Sequence, residues 1–332
     1  MALNVGLIGL KGHQGTILNG IPAIPEARLA AVCEDDAAKL EGVPGWSAAD
    51  AHTRRFTDPI RMLEEVALDI VGVCGTDSER APMILAAAER GVNVIAEKPL
   101  AKELDELAEV RAAVAEAGIA LTMLLTMRYE PAYRTMHRLI AKGAVGEVCL
   151  ATMQKSYRLG DRPQWQRDKA TFSGIIPFIG IHALDLIRWT TGREFVEGYG
   201  YCANTAHPDL RDMEDNASVV LRLDNGGSAS ARLDYCRPAA APTHGDDRLR
   251  VAGDLGVIES MQQGEKVVLI TRDEGLRDLQ LDERKDQFVD FVTSLGGESP
   301  CEVPAEDCFR MTEVCLKLRD TAGSGRAADL AV

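Results

Sequence analysis

The feature that most constrains this chain is a change of period that repeats through its first 126 residues. Short apolar runs of β type, Asn4–Ile8, Leu29–Cys33, Asp69–Cys74, Val92–Ala96 and Ile119–Leu125, alternate with stretches of helical spacing. In Ser78–Arg90 we expect a helix with Ser78 as N-cap and Gly91 as its stop. In Leu104–Ala117 the apolar residues Leu104, Leu107, Val110 and Val114 recur at helical spacing, and Gly118 ends the run. Strands that alternate with helices of this length form βαβ units around a parallel sheet. The β-type runs are continuously apolar because such strands are buried on both faces.

The first run leads into Gly9-Leu-Lys-Gly12-His-Gln-Gly15, followed by Thr16-Ile17-Leu18. Glycine permits a tight turn and lets a pyrophosphate approach the start of a helix, where N–H groups and the dipole favour an anion. The second run ends in Glu34, 19 residues after Gly15. A carboxylate there accepts the ribose hydroxyls of NAD and repels the 2′-phosphate of NADP. No Arg or Lys follows at once to hold that phosphate, so NAD is favoured over NADP. Strand, glycine loop, helix and acid together predict a doubly wound parallel sheet of the Rossmann type.

After about residue 145 the pattern changes. Glu147–Ser156, Glu194–Ala203, Ala217–Leu223 and Ser228–Tyr235 read as strands, and Asp224-Asn-Gly-Gly227 marks a hairpin. Leu249–Ala252, Val257–Ser260 and Lys266–Ile270 add three more. Helices are expected at His182–Thr191, about Glu283–Leu295 and Pro304–Asp320. We therefore expect an α/β chain of two domains. Residues 1–126 form the dinucleotide-binding domain, and 127–332 form an α+β substrate and oligomerisation domain with an open, mostly antiparallel sheet. The irregular Pro238–Asp247 segment reads as a mobile flap.

Composition narrows the function classes. Lys plus Arg is 37 against 51 Asp plus Glu, a net charge of −14. That balance argues against nucleic acid and anionic membrane surfaces as partners. No apolar run approaches the roughly 18–20 residues needed to cross a bilayer. The N-terminal apolar run lacks a basic start and a cleavage site, so it reads as a strand and not a signal peptide. A cytoplasmic location is expected. The eight cysteines show no C-x-x-C pair and no zinc spacing with histidine. They read as buried, reduced thiols, and no metal site is expected.

The run Val92–Ala96 ends in Glu97-Lys98-Pro99. Charged residues just beyond the C-terminal end of a parallel strand face the ligand crevice. Pro99 stiffens the turn and disfavours the α conformation at Lys98.

With these residues the chain resembles the glucose–fructose oxidoreductase / inositol dehydrogenase / MocA (Gfo/Idh/MocA) family. The likeness rests on the glycine loop, Asp69-Ile-Val-Gly-Val-Cys-Gly-Thr76 and Gly91-Val-Asn-Val-Ile-Ala-Glu-Lys-Pro-Leu100. It continues through Arg128-Tyr-Glu-Pro131, Gly143-Ala-Val-Gly-Glu147 and Gly180-Ile-His-Ala-Leu-Asp185-Leu-Ile-Arg-Trp189. The resemblance implies hydride transfer between NAD and a secondary alcohol or ketone of a sugar, cyclitol or polyol. It also implies dimers or tetramers joined through the open sheet. It maps the family lysine to Lys98, which hydrogen-bonds the reacting oxygen, and the family histidine to His182, which takes the hydroxyl proton. A free imidazole pKa near 6.5 suits that task. Cofactor contacts fall on Gly9, Gly12, His13, Gln14, Gly15, Glu34, Thr76, Glu97 and Lys98. His13 is expected to act through its backbone. Substrate contacts fall on Tyr157, Arg158, Trp165, Arg167 and Asp185.

One departure stands out. The family commonly has aspartate four residues before the histidine, and Phe178 stands there. Phenylalanine cannot stabilise a cationic neighbour or pass a proton. Three readings remain open. Lys98 and His182 suffice; or Asp185, Asp161 or Asp168 substitutes; or the cofactor site is retained with altered or lost chemistry. The last reading includes a lyase that retains its NAD and a non-catalytic NAD- or ligand-sensing regulator.

Overall fold

The computed structural model describes residues 3–210 and 212–332. Compactness divides them into two units.

The first unit is built on a six-stranded sheet. Its strands are β1 (Leu3–Ile8), β2 (Ala27–Cys33), β3 (Arg54–Phe56), β4 (Ile70–Val73), β5 (Asn93–Ala96) and β6 (Leu121–Met123). They lie in the order β3-β2-β1-β4-β5-β6, and every pairing is parallel. This is the Rossmann order, with the direction of winding reversing between β1 and β4. Helices α1 (Gln14–Gly20), α2 (Pro59–Glu65), α3 (Asp77–Ala88) and α4 (Leu104–Ala117) make the crossovers. Ile70, Val71 and Val73 of β4 are fully buried, as expected of a central parallel strand. The periodic residues Leu107, Val110 and Val114 form the buried face of α4, which Gly118 terminates in the left-handed conformation. Helix α3 begins earlier than the composition suggests. Its N-cap is Thr76 in place of Ser78, and the Glu79 carboxylate accepts from the Thr76 N–H at 2.7 Å. The edge strand β3, Arg-Arg-Phe, was not foreseen, since only Phe56 of its three residues is buried.

The second unit carries a nine-stranded sheet. Helix α5 (Pro131–Ala141) precedes β7 (Val148–Arg158), and α6 (Ile181–Thr191) precedes β8 (Phe195–Ala203). Then follow β9 (Asn216–Leu223), β10 (Ser228–Arg237), β11 (Arg248–Gly253), β12 (Gly256–Met261), β13 (Lys266–Thr271), β14 (Arg277–Asp278) and β15 (Ala328–Asp329). The order is β14-β13-β12-β11-β7-β10-β9-β8-β15, and only β7 with β10 is parallel. Alternation along β9 and β10 buries Ala217, Val219, Leu221, Ala229, Ala231 and Leu233 on one face. The strand registers place Leu150, Tyr201, Val220 and Ile270 together on the opposite face, where all four are exposed.

A single cut after residue 126 does not describe this chain. Residues 286–312 group with the first unit, as do 170–172. The reason is helix α7 (Gln287–Leu295), whose Phe288 and Phe291 are buried in the same apolar cluster as Ile17, Ile21 and Leu29. The Gln287 amide also donates to the Met123 carbonyl at 2.8 Å. The last helix, α8, runs from Ala305 to Ser324. The thiols also depart from expectation, since Cys149 and Cys236 are exposed. No described helix is long and apolar enough to cross a membrane.

Candidate active site

The glycine loop leaves β1 at Gly9, with φ +80°, and turns again at Gly12, with φ +92°. Both positions are closed to side chains. A Cβ at Gly9 would lie 2.5 Å from the Cys74 carbonyl oxygen, and one at Gly12 would collide with the Glu97 carboxylate. Helix α1 starts at Gln14, with His13 as its N-cap and Gly15 in its first turn.

Two buried carboxylates hold this loop. Glu34, at the end of β2, accepts from the Leu10 N–H at 2.8 Å. Glu97, at the end of β5, accepts from the His13 N–H and lies 2.8 Å from His13 Nδ1. Its other oxygen accepts from the Lys98 N–H at 3.1 Å. Burial alone would raise the Glu97 carboxyl. The His13 ring, its hydrogen bond, and the charges of Lys98 and Arg80 outweigh burial and hold it far below the usual carboxylate range. Glu97 is thus a fixed anion under the loop.

Lys98 is buried at the same strand end. The Lys98–Pro99 peptide is cis. Arg80 of α3 donates to the carbonyls of Lys98 at 2.6 Å and Pro99 at 3.0 Å, and pairs with Asp77 at 2.8 Å. The Lys98 backbone is therefore held on both sides. Sequence reading missed Arg80; its one signal was a basic residue in the first turn of α3, where the helix dipole disfavours it.

At the ends of β1 and β2 lies a cleft of about 330 Å³ lined by Ile8, Cys33, Glu34, Pro59, Pro82 and Met83 among others. It has an apolar wall for a flat ring and the carboxylates of Glu34, Asp35 and Glu79 at its rim. Lys39 approaches Glu34 at 3.2 Å, and Lys11 at 3.7 Å. The charge partner that the sequence did not show directly after Glu34 thus comes from the glycine loop and from five residues on. The glycine cradle, the cleft and a buried Gln14 Oε1 with no hydrogen-bond partner among the described residues fit a dinucleotide. Thr76 is buried at the start of α3, and its hydroxyl lies 3.2 Å from that of Ser78, which lines the cleft with Glu79.

In the second unit, His182 is the second residue of α6 and is buried. A π-helical turn, Ile176–Gly180, runs straight into that helix and carries Phe178. Such turns widen a helix and cluster at functional sites. Phe178 packs edge-on against Trp165, with ring centroids 5.8 Å apart. The residue in the aspartate's place is part of an aromatic wall. Asp185 points to a different partner. Its two oxygens receive Arg128 Nε at 2.9 Å and Nη2 at 2.5 Å, and both side chains are buried. Asp161, Arg167 and Asp168 are exposed.

Tyr157 hydrogen-bonds Asp247 at 3.3 Å and stacks on His244 at 5.2 Å. Asp247 also pairs with the buried Lys155 at 2.7 Å. Burial would lower the Lys155 ammonium pKa, yet Asp247, Tyr157 and Tyr133 raise it above its ordinary value. Neither Lys155 nor Asp247 was picked out from sequence, because one reads as a strand residue and the other as loop. The Pro238–Asp247 segment is no free flap at its C-terminal end. The Arg158 N–H donates to His244 O at 2.9 Å, Asp246 N–H donates to Ser156 O at 2.8 Å, and Gly245 bridges to Tyr157.

Residues 3–124 match the oxidoreductase family with an NAD-binding Rossmann fold, and residues 133–259 match the GFO/IDH/MocA C-terminal domain. The chain belongs to the Gfo/Idh/MocA oxidoreductase family. A putative oxidoreductase from Thermotoga maritima has a TM-score of 0.92 and 32% identity, over 98% of this chain and 100% of that one. Inositol 2-dehydrogenase 2 of Saccharopolyspora erythraea is 28% identical over 83% of this chain and 77% of its own. The scyllo-inositol 2-dehydrogenase (NAD(+)) of Bacillus subtilis is 26% identical over 72% of this chain and 68% of its own. As a Gfo/Idh/MocA protein the chain is an oxidoreductase with an NAD-binding domain.

Proposed function

We propose that this Gfo/Idh/MocA protein is an NAD-dependent dehydrogenase acting on a secondary alcohol or ketone of a sugar, cyclitol or polyol. The observation that carries the reading is Lys98, buried at the C-terminal end of β5 with its backbone clamped by Glu97 and Arg80. The bound nicotinamide supplies the hydride acceptor or donor. Lys98 hydrogen-bonds the reacting oxygen and stabilises the charge that develops there. His182 takes the hydroxyl proton in oxidation and returns it in reduction. Gly9, Gly12, His13, Gln14 and Gly15 hold the pyrophosphate, Glu34 the ribose, and Thr76 and Glu97 the rim of the site. Tyr157, Arg158, Trp165 and Arg167 belong to the substrate side. We take Asp185 out of that set and read it as the anchor of Arg128, since both its oxygens are engaged.

The test is to incubate the protein with NAD and a panel of sugars, inositols and sugar acids and record NADH absorbance. A rise with one compound supports hydride transfer. No rise with any, alongside calorimetric NAD binding, overturns it in favour of a non-catalytic sensor, the reading that Phe178 favours, or of a lyase that retains its NAD.

Two results are expected at the cofactor site. NAD binds more tightly than NADP to the native protein. Glu34→Ala removes the ribose acceptor and releases Lys39 and Lys11. The NAD-to-NADP ratio of kcat/KM should fall by roughly 10–100-fold, the worth of a charged hydrogen bond. An unchanged ratio would remove Glu34 from the ribose site. Gly12→Ala forces a side chain onto the Glu97 carboxylate at positive φ, a strain of about 1–3 kcal/mol. Calorimetry should show NAD affinity reduced by about tenfold or more.

We also propose that the second unit joins copies of the chain into a homodimer or homotetramer through the exposed Leu150, Tyr201, Val220 and Ile270 face. A monomer by light scattering would exclude this.

A further inference from the structure

Most arginines of this acidic protein have a carboxylate partner. Arg128 pairs with Asp185, Arg138 with Asp282, Arg188 with Glu194 and Arg193 with Glu147. Arg237 and Arg248 share Asp246.

Two half-buried arginines beside Tyr157 do not follow that pattern. Among the described residues neither Arg158 nor Arg162 pairs with a carboxylate. Arg158 Nη2 donates only to the Ala241 carbonyl. Arg162 donates to Gln166 Oε1 at 3.3 Å and to the Arg158 carbonyl at 3.4 Å, both longer than a good N–H···O bond. The Nε of each is buried without a hydrogen-bond partner. Leaving a buried charged donor unsatisfied is costly, and a ligand that satisfies it recovers that cost.

The surroundings show what shape of ligand fits. The Arg162 guanidinium lies over the Tyr235 ring at 4.1 Å, which fixes its plane without neutralising it. Three residues on, Trp165 meets Phe178, the residue in the aspartate's place. His244, stacked on Tyr157, feels both arginines. Partial burial first, then Arg162 and Arg158, lower its pKa, and Asp247 opposes them. Near neutral pH the ring is therefore a neutral hydrogen-bonding group, and the local charge rests on the two guanidiniums.

We propose that Arg162, supported by Arg158, binds an oxyanion on the substrate, so that this protein acts on an acidic sugar or polyol bearing a carboxylate or phosphate. The proposal rests on the dehydrogenase reading above and names its substrate class. A planar guanidinium recognises either group through paired N–H donors. Replacing the acid of the family pattern by Phe178 removes a carboxylate that would have repelled such a substrate.

The test uses matched pairs with NAD. These are glucuronate against glucose, gluconate against sorbitol, and glucose 6-phosphate against glucose. The charged member of a pair should show kcat/KM higher by about 10–100-fold, and whichever charged member leads names carboxylate or phosphate. Arg162→Gln should bring that ratio towards one, chiefly by raising KM for the charged member, with NAD affinity unchanged. Arg162→Lys should recover part of the ratio, which also shows that the site still folds. Neutral members that match or beat the charged ones, or an Arg162→Gln loss equal for both, would overturn the proposal. If nothing is turned over, calorimetry of the same pairs on the NADH-loaded protein separates the two claims. Binding of a charged member that Arg162→Gln abolishes supports the anion site while the dehydrogenase reading falls; no binding overturns both.

Discussion

Lys98→Ala is expected to lower kcat by about 10²–10⁴-fold, the usual loss when a positioned acid–base group is removed. The NAD dissociation constant should stay within about threefold, a change worth well under 1 kcal/mol. The asymmetry follows from where the residue is fixed. Its backbone is held by Glu97 on the N–H side and by Arg80 on the carbonyl side, and neither bond uses the side chain. Truncation leaves that clamp in place and takes away the ammonium. A transition-state interaction lost in this way lowers kcat and kcat/KM together. Steady-state kinetics with the substrate identified by the NADH assay, beside calorimetry of NAD, reads both quantities. Unchanged turnover would remove Lys98 from the chemistry. Equal losses in turnover and NAD affinity would make it a cofactor-holding residue alone. Arg80→Ala should mimic part of the kcat loss, because the strand-end turn then loses its carbonyl clamp.

The second large effect concerns stability. Arg128→Ala takes its two-point cation partner from the buried Asp185 carboxylate and is expected to cost about 3–5 kcal/mol. Arg128 also lies over the Trp189 ring at 5.6 Å, and Trp189 stacks on His137 of α5 at 4.1 Å. The pair thus ties the turn before α5 to α6, the helix that carries His182. Thermal melting should show the transition of the second unit lowered by roughly 6–20 °C, at about 2–4 °C per kcal/mol for a unit of this size. Replacing both charges by apolar residues of similar volume, Arg128→Met with Asp185→Leu, should recover much of the loss. A single variant that melts like the native protein would show that the ion pair contributes little. A double variant no better than the single would show that the two charges have roles beyond each other.

The strands of the first unit were legible because each reports its own burial. Leu29–Cys33 and Ile70–Cys74 are apolar throughout, which only a strand covered on both faces requires. Edge strand β3 was hidden for the opposite reason: Arg54 and Arg55 are exposed and leave no pattern. The glycine loop and Glu34 were legible because a turn at positive φ and an acid after the second strand are local features. The family motifs Glu97-Lys98-Pro99 and Gly180–Asp185 fall at a strand end and at a helix start, where Lys98 and His182 are buried. They gave no sign that the carboxylate of Asp185 is engaged by Arg128.

What the sequence determined by itself is everything that depends on spacing along the chain. This includes the alternation that makes a parallel sheet, the glycine cradle, the acid at the second strand, and a second unit of mostly antiparallel strands. What only the tertiary structure decided is pairing across long separations. Glu97 lies 84 residues from His13 and Asp185 lies 57 from Arg128, and no local period records such partners. Helix α7 returns to the first unit because Phe288 and Phe291 fill its core. Arg158 and Arg162 combine the lack of a carboxylate partner with a buried Nε that has no hydrogen-bond partner among the described residues, a property of their surroundings that no residue in the sequence carries. Charge compensation and core filling are sums over neighbours in space, so they appear only when the chain has folded.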